Sequence, residues 1–458
     1  MDARVTEAEL FEAGRAARAR MPRSATAEYV PPAGRDPLGI ILKQNESRLP
    51  DLVQLRVDRM STDVFAFYRG TAAIQVADLR HVTTSGAQVV ICGDAHLNNF
   101  GVFRSPEQAM VFDTDDFDEA FVGPWEWDLK RLLTSVVLAG RSVAMEPQSL
   151  RTSIVLAAAA YRDEVLRLRT RPLYERYFTP TSASVESARL AGVESAQRIA
   201  QILKKASKRT SSRVARRILG PDESGVVRFV EDPPILVRVN DEIRALVDEI
   251  LRSYRTTVSP DLALMLSQYS VLDVARRVVG VGSVGTRCFI VALGDDTGDV
   301  KIVQIKEAVQ SVVNEFGGVP NTELELYAPS SLVENNQGYR VVSCQRVLQA
   351  VSDPFLGYVT HGGFDFYVRL FRNMNASVGI SAMNATEFHD YARACAVVLA
   401  RGHSRSPNLP FIAGYLGSGK VFVRAVAEWA YRYASQAEED YALFMQAASA
   451  GMFASARA

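Results

Sequence analysis

Residues 92–99, CGDAHLNN, place Asp94 five residues before Asn99. A short apolar run at residues 89–91 precedes them and is typical of a buried strand. A second apolar run at residues 110–112 also predicts a strand. It leads directly into an acidic cluster, which consists of Asp113, Asp115, Asp116, Asp118 and Glu119. We therefore expect a carboxylate-rich site at strand ends.

The composition is that of an ordinary globular protein. The chain has 458 residues, 48% of them hydrophobic, which is enough for two or three packed lobes. Its 52 Lys and Arg residues balance 52 Asp and Glu residues. Because the formal net charge is zero, no overall field favours nucleic acid or an anionic membrane, and we expect neither as a partner.

Cysteine usage and the N-terminus indicate a cytoplasmic protein. The four cysteines form no C-x-x-C pair, so we interpret them as reduced, buried thiols rather than a zinc site. The first residues are polar and acidic, unlike a signal peptide, and no apolar run reaches the length of a membrane span.

Changes in composition divide the chain into four segments. The breaker cluster PPAG at residues 31–34 separates an N-terminal leader, residues 1–36, from the body. Residues 37–256 contain the acidic site and a long helical region. Residues 257–353 are rich in strands, and residues 354–458 look mainly helical, with the clearest amphipathic runs at 391–403 and 421–447. Basic residues between Lys204 and Arg217 are interpreted as a solvated helix face.

The glycine-rich stretch GVGSVG, residues 280–285, lies between two predicted strands. In a dinucleotide-binding fold the third glycine would open a helix, whereas here a strand follows Gly285. A turn at residues 294–299 leads to a third strand, so we expect a three-strand meander. That strand ends in VQIK, and strand alternation turns Lys306 away from the side shared by Val303 and Ile305.

These motifs resemble those of the kinase-like phosphotransferases, especially the aminoglycoside phosphotransferases and choline kinases. In that group H-G-D-x-x-x-x-N precedes a strand ending in an I-D-F-like motif, with another aspartate twelve residues on. Asp94 and Asn99 match the first pair, DFD at residues 116–118 matches the second motif, and Asp128 lies twelve residues after Asp116.

The resemblance implies transfer of the γ-phosphate of ATP, or another nucleoside triphosphate, to a hydroxyl of a small-molecule acceptor. Asp94 would be the general base that orients the acceptor hydroxyl, and Asp128 would brace its loop. Magnesium, which prefers hard oxygen ligands, would be held by Asn99, Asp116 and Asp118. The nucleotide phosphates would be bound by Gly280, Gly282, Ser283, Gly285 and Lys306.

The implied fold is α+β and protein-kinase-like, with a small antiparallel sheet lobe and a large, mainly helical lobe. Ordinary kinases place the glycine loop before the catalytic loop, and here it follows. We interpret this order as a circular permutation, which a fold tolerates when the original termini lie close together. In kinases a helix ending near L-A-x-x-H leads into the catalytic loop, and here LARGH at residues 399–403 ends such a helix.

Three features depart from the kinase pattern. Cys92 stands where the catalytic loop usually has a histidine, and Gln304 stands where a small alanine lines the adenine pocket. The glutamate that should pair with Lys306 is not determined, and the candidates are Glu315, Glu323 and Glu325. Arginines near aromatic residues, Arg69, Arg369 and Arg372, are candidates for contacts with substrate or for packing.

Two other functions are compatible with the sequence. A magnesium-dependent phosphohydrolase would use the D-x-D pair, with Asp113 as nucleophile and Asp115 beside it. A catalytically silent module would bind nucleotide without turnover.

Nearly the whole chain is also similar to a bacterial family known only as domain of unknown function 2252, which has no settled activity. The segments that carry this similarity are FYRG at 67–70, GDAH at 93–96, DFDE at 116–119, GVGSVG at 280–285, KEA at 306–308 and LAR at 399–401.

Overall fold

The computed structural model describes residues 5–107, 109–179, 211–321, 336–371, 376–377 and 379–453. Its α-helices are α1 (Glu7–Ala17), α2 (Pro37–Glu46), α3 (Pro50–Met60), α4 (Val64–Arg69), α5 (Ala72–Leu79), α6 (Trp125–Ser142), α7 (Pro147–Arg169), α8 (Leu173–Phe178), α9 (Ser211–Ile218), α10 (Asp241–Tyr254), α11 (Pro260–Leu266), α12 (Val312–Glu315), α13 (Gln337–Leu348), α14 (Ala385–His403), α15 (Leu409–Leu416) and α16 (Lys420–Ser449).

Groups of strands lie between groups of these helices along the chain, so the protein has a mixed α and β structure. They are β1 (Gln88–Ile91), β2 (Phe100–Arg104), β3 (Met110–Thr114), β4 (Phe121–Pro124), β5 (Leu219–Pro221), β6 (Val227–Phe229), β7 (Leu236–Arg238), β8 (Ser270–Arg277), β9 (Cys288–Gly294), β10 (Val300–Glu307), β11 (Gly357–His361), β12 (Phe364–Leu370) and β13 (Ala376–Ser377).

Helix α6 is the centre of the helical part of the molecule. Its apolar residues recur at helical spacing from Leu129 to Val137, as predicted, and each of them is fully buried. Helices α7, α14 and α16 pack around it, and Trp125 at its start stacks on Tyr161 of α7, with ring centroids 5.7 Å apart. This helix therefore supplies a rigid support for the loops that precede it.

The N-terminal helix α1 packs closely on α15. A Cβ at Gly14 would lie 2.0 Å from the carbonyl oxygen of Phe411, and one at Gly414 would lie 2.0 Å from that of Phe11. Glycine at both positions therefore allows the two helix backbones to touch. Residues 7–17 of the predicted leader are part of the packed structure.

A six-stranded antiparallel sheet forms the second part, in the order β11-β12-β10-β9-β8-β7. It contains the predicted meander as β8, β9 and β10. Helix α10 covers one face, where Val247 and Ile250 pack with Val291 and Val303. The sheet also takes β7, β11 and β12 from outside residues 257–353, so the predicted boundaries do not coincide with it.

Strands β11 and β12 were not expected within residues 354–458. They form a hairpin in which His361 pairs with Phe364, and the two residues between them are Gly362 and Gly363. Both glycines have positive φ, 59° and 80°, as a two-residue type I′ turn requires. The alternating segment on each side of Gly-Gly is the sequence signal for this hairpin.

Several other predictions concern single features. All four cysteines are buried and free. No helix among the described residues is long and apolar enough to cross a membrane. The basic residues from Lys204 to Arg209 lie outside the described part of the chain, as do Arg372, Glu323 and Glu325.

Candidate active site

Two loops run side by side because two antiparallel strand pairs bracket them. Residues 92–99 connect β1 to β2, and residues 115–120 connect β3 to β4. Ile91 pairs with Phe121 in one strand pair, and Phe100 pairs with Thr114 in the other. The strand register therefore brings the predicted catalytic loop and the acidic cluster together.

Asp94 lies in the first loop with one carboxylate oxygen already engaged. Arg131 Nε donates to Asp94 Oδ1 at 2.8 Å, and Asn99 Nδ2 donates to the Asp94 carbonyl at 2.8 Å. Burial raises the pKa of Asp94, and Arg131 opposes that shift. His96 Nε2 is 3.7 Å from the other carboxylate oxygen. Burial lowers the pKa of His96 well below its ordinary value, so the imidazole beside Asp94 is neutral at pH 7.

Asp128 at the start of α6 holds the backbone of the same loop. Its carboxylate accepts hydrogen bonds from the N–H groups of Cys92 at 2.7 Å and Gly93 at 3.0 Å. His403 Nε2 lies 3.2 Å from this carboxylate, and Tyr161 Oη lies 2.7 Å from His403 Nδ1. Asp128, His403 and Tyr161, which lie on three different helices, thus form a hydrogen-bonded series that braces the loop. Cys92 replaces the expected histidine in that loop.

The second loop joins the two parts of the molecule. Asp118 contacts Lys306 Nζ through one carboxylate oxygen and accepts a hydrogen bond from Tyr367 Oη at 2.7 Å through the other. Arg340 of α13 fixes the loop backbone by donating to the carbonyls of Asp118 at 2.9 Å and Ala120 at 2.6 Å. The Asp118 side chain is therefore held against the sheet.

The charges in this loop are strongly coupled. Burial raises the pKa of Asp116, and the nearby Asp118 carboxylate raises it further. Burial would also raise the pKa of Asp118, but Lys306 and the hydrogen bonds from Lys306 and Tyr367 outweigh it and lower the value. In turn Asp118 and Tyr367 raise the pKa of Lys306 against the effect of burial. Lys306 is therefore a cation paired with Asp118.

None of the three glutamates considered from sequence is seen to pair with Lys306. Glu315 pairs instead with Lys43, at 3.2 Å, and Glu323 and Glu325 lie outside the described residues. Gln304, two residues before Lys306, is held between Cys288 Sγ at 3.1 Å and Arg369 Nε at 2.9 Å. The expected helix glutamate is thus replaced, among the described residues, by a carboxylate from the acidic loop.

The glycine loop lies against α3 and the residues just before it. Arg48 donates to the carbonyl of Val284 and Arg59 to that of Gly280, and Leu49 N donates to the carbonyl of Gly285 at 2.8 Å. Gly280 and Gly285 have φ of +64° and +95°, which only glycine adopts readily. The loop is thereby anchored by its carbonyl groups.

A cavity beneath the loop brings together most of the predicted site. Its lining includes Gly280, Gly282 and Ser283 from the loop and Asp94, Asn99, Asp116, Asp118 and Glu119 from the two neighbouring loops. Lys306 and Gly285 are not among the lining residues, but Lys306 contacts Asp118, which is. Asp113 and Asp115 are not among the lining residues.

The donor set fits magnesium that arrives with a phosphate ligand. Asn99 can offer its carboxamide oxygen, since its nitrogen donates to Asp94, and Asp116 and Asp118 offer carboxylates. No group of three His, Cys, Asp or Glu side chains within the described residues is arranged to hold a metal ion. Magnesium is commonly held by one or two carboxylates plus substrate phosphates and water, so these residues suit a nucleotide-bound ion.

The sequence did not identify Arg131 and Tyr367 as site residues, nor Arg48. Arg131 lies in a helix whose pattern indicated only core packing, and Tyr367 lies on the unexpected strand β12. For Arg48 no local signal existed. Tyr367 was detectable from the Gly-Gly hairpin, because strand alternation places it on the same face as its pairing partner Lys306.

Comparison with known proteins gives one match. No curated protein and no solved structure matches the chain. Residues 48–447 match the model of a family described as uncharacterized protein conserved in bacteria, DUF2252. The matched region spans every site residue described above, from Arg48 to His403. The chain therefore belongs to the DUF2252 family of uncharacterised bacterial proteins.

Proposed function

We propose that this protein is a kinase-like phosphotransferase that moves the γ-phosphate of a nucleoside triphosphate such as ATP to a hydroxyl of a small-molecule acceptor. The observation that carries the proposal is the contact between Lys306 on β10 and Asp118 in the loop before β4. Kinases need a lysine for the phosphates and a carboxylate for the metal in one cleft, covered by a glycine-rich loop.

The glycine loop and Lys306 are suited to binding phosphates. Within the described loop, the N–H groups of Val284 and Thr286 donate hydrogen bonds to backbone carbonyls. The N–H groups of Gly280 to Ser283 donate to no backbone carbonyl of the described residues. Free N–H groups in a tight turn form a concave anion site. Lys306, held by Asp118, would add a fixed positive charge to this site.

Asp94 is suited to orienting a hydroxyl. Arg131 holds one carboxylate oxygen, which leaves the other for a hydroxyl donor, and the raised pKa makes the carboxylate a better proton acceptor. Asn99, Asp116 and Asp118 would hold magnesium together with the nucleotide. The ion, when bound, neutralises the negative charge that develops on the transferred phosphate.

The order of elements in space supports a permuted kinase-like fold. Strand, glycine turn, strand and lysine-bearing strand follow one another from β8 to β10, as in kinases. Helix α14 ends at His403, which contacts Asp128 and through it the start of the catalytic loop. In a kinase the chain continues from the corresponding helix into the catalytic loop. Here α14 continues instead into α15 and α16.

The test is transfer of labelled γ-phosphate from Mg-ATP to a panel of small hydroxylated compounds. We expect transfer by the native protein, none by Asp94→Asn, and near-normal transfer by Asp113→Asn, which alters a carboxylate outside the cavity. Hydrolysis of phosphomonoesters without nucleotide, lost in Asp113→Asn, would favour the phosphohydrolase. Binding of Mg-ATP without turnover across the panel would favour the silent module.

A further inference from the structure

Arg69, at the end of α4, lines the cavity and has no ion-pair partner among the residues that the structure describes. Within the described residues it makes no hydrogen bond, and none of its nitrogens lies within 4.0 Å of a carboxylate oxygen. Its Nε is buried without a partner, and its nearest aromatic contact is the Phe65 ring, 6.0 Å from Cζ. Arg69 is half-buried, so its charge is partly removed from water and pairing with an anion in the cavity would be favourable.

The backbone on both sides of Arg69 is clamped. Arg131 Nη2 donates to the Tyr68 carbonyl at 2.6 Å, and Arg56 Nη2 donates to the Gly70 carbonyl at 3.1 Å. Those two arginines are used structurally, and Arg48 is engaged with the glycine loop. Among these four arginines, Arg69 alone presents its guanidinium to the cavity with no hydrogen bond to the described protein.

The charged surroundings distinguish Arg69 from Lys306. Burial lowers the pKa of Arg69, and the nearby Asp94, Asp63 and Asp116 carboxylates oppose that shift. Burial would also lower the pKa of Lys306, but Asp118, with which Lys306 is in direct contact, raises it. Arg69 also depresses the pKa of His96, although burial is the larger cause, which places the guanidinium beside the catalytic loop. Lys306 is thus already paired with a carboxylate, whereas Arg69 makes no such ion pair within the described residues.

We propose that Arg69 binds an anionic group, phosphate or carboxylate, on the acceptor whose hydroxyl Asp94 orients. The term acceptor rests on the phosphotransferase function proposed above. A planar guanidinium binds either anion through two parallel hydrogen bonds. The bound anion would also supply the partner that Arg69 lacks, and the clamped backbone gives the interaction a fixed position.

The first test measures anion binding without nucleotide, so it does not depend on phosphoryl transfer. Inorganic phosphate and, separately, acetate are titrated calorimetrically into the native protein, Arg69→Gln, Arg69→Lys and Lys306→Ala, with the exposed Arg432→Gln as a charge control. We expect at least one anion to bind the native protein. Its affinity should fall about tenfold or more in Arg69→Gln and less in Arg69→Lys, and it should stay within about twofold in the control Arg432→Gln.

Three outcomes would overturn the proposal. The native protein could bind neither anion, or Arg69→Gln could bind as well as native. Loss of phosphate binding in Lys306→Ala alone would assign the anion to the nucleotide site. Thermal unfolding distinguishes a loss of anion binding from misfolding. Because Arg69→Gln removes no hydrogen bond to the described protein, its unfolding midpoint should equal or exceed the native midpoint. Reduced stability with unchanged anion affinity would make Arg69 a packing residue.

The second test applies once turnover is found and uses acceptors that differ only in the anionic group. Glycerol 3-phosphate is compared with glycerol, and glycolate with ethylene glycol. Arg69→Gln should raise KM for the anionic acceptor about tenfold while changing KM for the nucleotide less than about twofold. A rise confined to the nucleotide KM would contradict the proposal without affecting the phosphotransferase assignment.

Discussion

The ammonium group of Lys306 contacts the carboxylate of Asp118, although 188 positions separate the two residues in the chain. Lys306 is only 1% exposed, and Asp118 lies in a loop fixed by Arg340 and Tyr367. The pair connects the six-stranded sheet to the loop before β4. It is the contact from which the proposed active site is built.

Replacing Lys306 should affect stability as well as nucleotide binding. Lys306→Met leaves the half-buried Asp118 without its cation, and removing one partner of a buried pair costs about 3–5 kcal/mol. The double variant Lys306→Met/Asp118→Asn removes both charges and should recover much of the free energy of unfolding without recovering turnover. Urea unfolding measures the first effect and a phosphate-transfer assay the second. Equal stability of single and double variants would show that the pair is not coupled.

Asp94→Asn should abolish catalysis with little effect on nucleotide affinity. The amide keeps the shape of the carboxylate but cannot accept a proton, so kcat should fall by a factor of about 10² to 10⁴. The dissociation constant for Mg-ATP, measured by calorimetry, should stay within about twofold because in the proposed function Asp94 would contact the acceptor and not the donor. Turnover at the native rate would remove Asp94 from the mechanism.

His403 should act on catalysis through the position of the catalytic loop. His403→Ala removes the partner of Asp128, whose carboxylate binds the N–H groups of Cys92 and Gly93. We expect a loss in kcat of about tenfold or more, with the nucleotide KM within about twofold. Tyr161→Phe, which removes only the hydroxyl on the far side of His403, is the matched variant and should lie between native and His403→Ala. Equal effects on kcat and on nucleotide KM would argue for a general structural role.

Magnesium should stabilise the protein only together with nucleotide. No three acidic, histidine or cysteine side chains among the described residues form a metal site, so in the proposed function the nucleotide phosphates would complete the coordination. Thermal unfolding with magnesium alone should match the metal-free midpoint, whereas Mg-ATP should raise it, with about 2.7 kcal/mol of stabilisation at a hundredfold excess over the dissociation constant. Asp116→Asn should reduce that rise. Stabilisation by magnesium alone would reveal a preformed site.

Asp113 should give the stability a specific pH dependence. Burial raises its pKa to about 6, against the opposing effects of Arg405 and the Thr114 N–H. The folded state therefore keeps this proton to a higher pH than the unfolded chain, and its contribution lowers stability as pH rises from about 4 to about 6. Asp113→Asn cannot ionise, so its stability relative to native should increase over that interval and level off above about pH 7. A difference in unfolding free energy that does not vary with pH would contradict this.

Sequence patterns predicted the elements around the site well. The strand before Asp94, the strand before the acidic cluster, the meander with its glycine loop and the long helices α14 and α16 are all present. The hairpin of β11 and β12 was missed because the amphipathic runs at residues 391–403 and 421–447 led to a mainly helical prediction for the whole C-terminal segment. Tyr367, which lies on β12 and donates a hydrogen bond to Asp118, was therefore missed as well.

What the sequence alone determined is local: which residues form strands, where glycine permits a turn, and which loop carries Asp94 and Asn99. These features depend on neighbours a few positions apart, so a short pattern contains them. Only the tertiary structure decided that Asp118 pairs with Lys306, that Arg131 holds Asp94, and that Arg69 has no hydrogen-bond partner among the described residues. The first two contacts join residues 188 and 37 positions apart, and no local pattern specifies which distant side chains the packed core will bring together.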